Sequence, residues 1–185
     1  MVSTVDICNR ALQKLGHTKI TSLEDDVKAA RECQRAYALV RDAVFRDHPW
    51  NCLLARAALA ALSDAPAWGY ARQYQLPVDC LRVLRADTSC DWRVEGRRVL
   101  SNAAAPLNIL YVRQEEDPQQ YDLLLVEALA ARLAGELAET LTQSNTKKEM
   151  AEREYLEVLS RARRADSQES SAERLFRSSW LDARG

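Results

Sequence analysis

WGYARQYQLPVDCLRVLRADTSCDWRVEGRRVLSNAAAPLNILY, residues 68–111, decides how the rest of the chain is read. At its start Trp68, Tyr70, Tyr74 and Leu76 alternate with small or polar residues, broken only by Arg72. That is the two-residue period of a strand. Pro77-Val78-Asp79 interrupts it, and Leu81 to Leu84 make a second short apolar run. Trp92 and Val94 alternate into Glu95-Gly96, a turn signal, from which Val99-Leu100 returns as the partner strand. Leu107 to Val112 is apolar on both faces, as a central strand is. Four or five short strands separated by turns predict a small, mainly antiparallel sheet.

On either side the period becomes helical. Ser3 with Asp6 forms a capping pair, Val5, Cys8, Leu12 and Leu15 recur on one face, and Gly16 stands at the left-handed stop, predicting a helix over 4–15. Ser22 and Asp25 repeat the capping signal. Val27, Ala30, Tyr37, Val40 and Val44 then trace a second helix over about 24–47, ended by Pro49 through its restriction of His48. Residues 50–62 are alanine-rich, which favours helix, yet lie between Pro49 and Pro66, which allows an extended arm; both readings stay open. Asp117-Pro118 restarts helix, and Tyr121 to Leu141 is apolar nearly all round. Thr146 and Glu149 cap a last helix with Ala151, Tyr155, Val158, Ala162 and Ala165 facing inward.

The predicted fold class is therefore α+β, mainly α. An antiparallel four-helix bundle is interrupted by a small β insertion and followed by an extended C-terminal arm. Its parts are the first half of the bundle (1–62), the β-rich insertion (63–116), the second half of the bundle (117–166) and the arm (167–185). The arm begins with the linker-like Ser167-Gln168-Glu169-Ser170-Ser171 and carries Leu175, Phe176, Trp180 and Leu181. Large apolar residues in a charged tail predict docking onto another chain.

Composition narrows the function. The chain has 185 residues with 26 Lys and Arg against 27 Asp and Glu, a balance unsuited to an electrostatic grip on nucleic acid over the whole surface. No apolar run approaches the ~18 residues that span a bilayer, and the first residues lack the regions of a signal peptide, so synthesis in the cytoplasm is expected. Five scattered cysteines lack C-x-x-C spacing, so they read as reduced thiols; no metal site, cofactor site or phosphate-cradling glycine loop is expected. Ser89 and Ser101 show no nucleophile elbow, and His17 and His48 flank interhelix turns with no triad signature. Glu24-Asp25-Asp26 offers acids for sugar hydrolysis but reads first as helix-dipole complementation, as does Glu115-Glu116-Asp117. Trp68, Tyr70 and Tyr74 lack the interleaved lysines of a base-stacking surface and read as sheet core or interface. No catalytic residue is predicted.

Several stretches carry a family resemblance in order. They are Cys8-Asn9-Arg10-Ala11-Leu12-Gln13-Lys14-Leu15-Gly16, then Ile20 and Ser22, Ala30 and Cys33, Tyr37 with Val40-Arg41-Asp42, and His48-Pro49-Trp50. Arg56 and Leu59-Ala60 follow, then Trp68-Gly69-Tyr70 and the most specific run, Tyr74-Gln75-Leu76-Pro77-Val78-Asp79-Cys80-Leu81-Arg82-Val83. The chain resembles the head-to-tail adaptors of short-tailed bacteriophages, also called tail tubular protein A, over essentially residues 5–165. The ending Ser179-Trp180-Leu181-Asp182-Ala183-Arg184 is similar to endings in that family. The resemblance implies a virion protein forming a homo-oligomeric ring, usually of twelve copies, beneath the portal protein. It implies a channel that passes double-stranded DNA without reading its sequence, a lower face that receives the tail nozzle or next tail component, and an arm reaching toward the portal. Two other classes stay open: a tail-associated cell-wall glycan hydrolase using Glu24 or Asp25, and a cytosolic helical interaction module.

Overall fold

The computed structural model describes residues 2–169. The elements run α1 (Thr4–Lys14), α2 (Lys28–Asp47), β1 (Leu54–Leu59), β2 (Arg72–Gln75), β3 (Cys80–Ala86), β4 (Trp92–Glu95), β5 (Arg98–Ser101), β6 (Leu107–Arg113), α3 (Leu123–Thr142) and α4 (Asn145–Glu169). Short 3-10 turns cover Asn51–Leu53 and Pro118–Gln120.

Local chemistry places most helix ends. The Ser3 hydroxyl accepts from the Asp6 amide at 3.1 Å while Asp6 accepts from the Ser3 amide at 2.9 Å, a closed capping box. At the other end of α1, Gly16 takes φ +64°, and the His17 amide donates to the Leu12 carbonyl at 2.9 Å. Pro49 works as expected: α2 stops at Asp47 and His48 is extended. The Ser22–Asp25 signal does not cap α2, which begins at Lys28 behind an uncapped Val27. Asp25 instead turns back onto the Thr21 and Ser22 amides at 2.8 and 3.1 Å, closing a turn ahead of the helix. Asp117 likewise caps only the 3-10 turn, and Asp122 caps α3 through the Leu124 amide at 2.7 Å.

The expected four-helix bundle with a small insertion is overturned. The chain is about 48% helical and 20% strand, with four helices and two three-stranded antiparallel sheets among the described residues. α3 is the hub of the helical part: it packs against α1, α2 and α4, whereas α1 and α2 barely touch. Leu125, Leu129, Leu133 and Leu137 line its buried length. The sheets have the orders β1-β6-β3 and β2-β5-β4, joined by a bridge between Ala61 and Tyr74. Their inner faces enclose a second core of Leu59, Tyr74, Leu76, Val99, Leu107, Ile109 and Tyr111. A β layer with a core of its own is a structural partner of the helices rather than an interruption of them. Residues 51–53 form a 3-10 turn and 54–59 become β1 despite their alanines, because β1 pairs along its whole length with β6. α4 continues through Glu169, across residues that read as the start of a linker. Leu175, Phe176, Trp180 and Leu181 lie outside the described residues.

The two layers meet on β6. Val112 belongs to the helical core and its neighbour Tyr111 to the β core. Polar ties reinforce the seam. Arg82 donates to the Arg46 carbonyl at 3.0 Å, Arg46 donates to the Leu81 carbonyl, and the Gln114 amide donates to Asp42 at 2.7 Å.

Removing buried volume from the hub should be costly. Leu129→Ala is expected to lower the unfolding free energy by about 3 kcal/mol, read from the urea midpoint at unchanged slope.

Candidate interaction surface

Most residues singled out in the sequence take structural roles. Tyr74 is fully buried, its hydroxyl donating to the Ala103 carbonyl at 2.7 Å. Trp68 is 86% exposed, so these two aromatics share no stacking face. The Ser101 hydroxyl donates to the Asp91 carbonyl and accepts from the Ala103 amide, which ties a turn. His48 is buried edge-on against Trp50, with ring centroids 4.9 Å apart. Glu115 pairs with Arg113 at 2.7 Å. The Cys8 and Cys33 thiols, both free and buried, hydrogen-bond one another; that bond and burial push Cys8 up, away from thiolate reactivity. Among the described residues no group of three or more His, Cys, Asp or Glu is placed to hold a metal ion.

The acids of the Thr21–Val27 turn are arranged for structure. Amide bonds from Thr21 and then Ser22, helped by the Thr21 hydroxyl, hold the Asp25 carboxyl below its ordinary 3.8. A general acid for glycoside cleavage needs the opposite shift. Glu24 is exposed beside it, and Asp26 pairs with Arg31 at 2.5 Å with its side chain 99% exposed.

A concave surface that sequence reasoning missed lies on the β layer. Strand β3 carries two register shifts against β6, between Cys80 and Arg82 and between Val83 and Arg85. Each is a bulge in which two residues oppose one: Leu81 and Arg82 face Val112, and Leu84 and Arg85 face Leu110. The inward positions Cys80, Val83 and Ala86 are thereby spaced by three. Leu81 and Leu84 turn to the helical core, while Arg82 and Arg85 are exposed. Arg56 on β1 is also in register with Leu110, so Arg56 and Arg85 flank one β6 residue. Two strand spacings put their Cα atoms about 10 Å apart. With Ala58, Asp87, Asn108 and Leu110 they line a groove of about 430 Å³. Two arginines and one aspartate thus meet around an apolar floor of Ala58 and Leu110. The signal lay in Cys80-Leu81-Arg82-Val83-Leu84-Arg85, where an apolar–apolar–basic rhythm of three in a strand requires bulges.

Large apolar side chains stand exposed elsewhere: Leu39 on α2, Val78 before β3, Leu123 opening α3 and Leu156 on α4. No helix among the described residues is long and apolar enough to cross a membrane. Compared with models of known protein families the chain matches none, and compared with curated proteins it finds no significant relative.

The Asp25 turn has a defined pH response. The folded carboxyl titrates below 3.8, so its contribution to stability is complete above the unfolded value and is lost as pH falls through the lower folded one. Side-chain carbon NMR should give a midpoint under 3.8 for Asp25, with the Thr21 amide shift following it; a midpoint at or above 3.8 would contradict the turn geometry.

Proposed function

We propose that this protein is a structural adaptor of a short-tailed phage virion, a ring component joining the portal to the next tail part around a passage for double-stranded DNA. The observation that carries the reading is the ordered run of residues from Cys8 to Val83, with Tyr74-Gln75-Leu76-Pro77-Val78-Asp79-Cys80-Leu81-Arg82-Val83 its most specific part. Two features of the molecule support it. Exposed apolar side chains sit on several separate elements (Leu39, Val78, Leu123, Leu156), which suits a body with more than one partner. The near balance of charge suits a wall past which DNA slides without being held. Each contact between copies is expected to bury more than about 1,000 Å². The hydrolase alternative is the weaker reading, since Asp25 is shifted the wrong way for an acid catalyst and its carboxylate is occupied by the turn.

Negative-stain imaging of the full chain mixed with its cognate portal protein is expected to show a closed ring seated on the portal. A chain that stays monomeric and ignores the portal would contradict the proposal. Deleting residues 172–185, which carry Leu175, Phe176, Trp180 and Leu181, is expected to leave the melting temperature unchanged and to weaken docking on the portal. Undiminished docking would remove the anchoring role from this segment.

A further inference from the structure

We propose that β4 is a self-complementary edge through which two copies of this chain pair, antiparallel about a two-fold axis, with Val94 facing the partner's Val94. This goes beyond the ring reading and does not rest on it. A contact of a surface with itself is used up at two copies, so it belongs to the free chain.

The edge is open. β4 is the last strand in the order β2-β5-β4. The direction of its backbone groups follows from its neighbours. The Arg97 carbonyl accepts from the Leu76 amide at 3.0 Å, so it points to the β2 side of the hairpin. Bonding direction alternates along an antiparallel strand, which turns Arg98 and Leu100 toward β4. Their register partners Glu95 and Arg93 face back toward β5. Trp92 and Val94 therefore aim their amides and carbonyls away from the sheet, where no further strand meets them. Such a row is a template for another strand. Two other edges are occupied. On β3 the Cys80 carbonyl accepts from Arg97 at 2.9 Å and the Leu81 carbonyl from Arg46. Outside β2, Ala61 bridges to Tyr74, and the Leu62 amide donates to the Gln73 carbonyl at 2.9 Å.

The side chains choose the occupant. Tyr74, Val99 and Val94 form one row across the sheet. Tyr74 and Val99 are fully buried, whereas Val94 ends the row 41% exposed. Arg93 and Glu95 lie on the opposite face. Their ion pair is 3.8 Å long, beyond hydrogen-bond distance, and both side chains are more than half exposed. An exposed pair of that length holds little energy, so both groups keep their donors and acceptors for a partner.

An antiparallel copy reads the strand in reverse, and Arg-Val-Glu reversed is Glu-Val-Arg. With Val94 on the axis, each Arg93 stands opposite the partner's Glu95. Val94, whose groups point outward, meets the partner's Val94 as a hydrogen-bonded pair. Arg93 and Glu95 then occupy the non-hydrogen-bonded positions, with Cα atoms about 4.5 Å apart and side chains at their closest. The apolar row becomes continuous through the axis. Trp92 falls opposite the partner's Gly96, where an added Cβ would meet nothing within 4 Å, so an indole has room.

Other registers and other occupants fit worse. Outward groups pair only with outward groups, so the nearest alternatives are two-residue slips. They set Arg93 against the partner's Arg93, or Glu95 against the partner's Glu95, like charges face to face. A uniformly acidic or basic strand from another protein would meet Glu95 or Arg93 with its like. An edge that only resisted pairing would carry charge of one sign or a proline, and β4 has neither.

Sedimentation equilibrium of the full chain at low salt should show pairs forming as concentration rises and loosening as salt is added. Amide exchange at Val94 should be free in dilute protein and slowed in concentrated protein. Arg93→Glu and Glu95→Arg, each alone, put like charges at both contacts and should weaken pairing about tenfold or more. Their equimolar mixture should recover it as pairs holding one of each, read by native mass with one variant isotope-labelled. Both substitutions in one chain should recover it too. Val94→Pro removes the outward donor without losing a β5 bond, and should abolish pairing with the melting temperature kept; if that variant unfolds, the charge exchange decides alone. A wild type that stays monomeric at NMR concentrations, Val94 exchange independent of concentration, pairing untouched by either reversal, or a mixture that fails to recover would overturn the pair. Rings that form on the portal while the free chain stays single would sink this contact and leave the ring reading standing. Pairs that obey the exchange, from a chain that ignores the portal, would do the reverse.

Discussion

Strand β6 is the constraint on which the rest of the structure depends. Its side chains alternate between two separate interiors, with Leu107, Ile109 and Tyr111 in the β core and Val112 in the helical core. It is the middle strand of its sheet, so both its edges are also committed, to β1 and to β3. A one-residue slip would exchange the two faces and empty both cores at once. The bulges in β3 follow from the same demand. Leu81 and Leu84 must reach the helices from a strand whose other face, through Cys80, Val83 and Ala86, fills the β core.

This arrangement explains why the interesting surface is a groove on a sheet rather than a cleft between domains. The helical layer covers the outer face of β1-β6-β3 near Leu54 and Val112, and the arginines begin beyond that cover. Where packing stops, Arg56, Arg85 and Asn108 take over the same face. The groove that results carries Arg56 and Arg85 beside Asp87, and in the Thr21–Val27 turn the Thr21 and Ser22 amides hold the Asp25 carboxyl below its ordinary range.

Much of the helical architecture was legible in the residues. Ser3, Asp6 and Gly16 are local signals whose effect needs no tertiary partner, and α1 begins and ends where they say. Leu107–Val112 read as a central strand apolar on both faces and is the central strand of its sheet, although Asn108 on its outer face is exposed. Gly96, placed at a turn by Glu95-Gly96, takes φ +58° between β4 and β5. What failed depended on distant pairing. Alanine-rich 54–59 became a strand because β6 offers it a ladder, and no window of local sequence carries that information. Asp25 satisfied the spacing of a helix cap but bonded backward to Thr21, a choice settled by competition between two nearby sets of amides. The bulges hid the groove, since Cys80, Val83 and Ala86 mimic a helical interval within a strand. The size of the β layer was underestimated for a related reason: strands counted singly do not reveal that two sheets will close on a common core.

The central claim is that helices and sheets form one cooperative body with β6 as its shared spine, rather than a helical bundle carrying a detachable insertion. Native-state hydrogen exchange resolved by residue tests it most directly. The account predicts that the Ile109–Val112 amides exchange as slowly as the interior of α3, while those of β4 on the sheet edge exchange much faster. If β6 exchanged at the rate of β4 while α3 stayed protected, the β layer would be opening independently, and the account would be wrong.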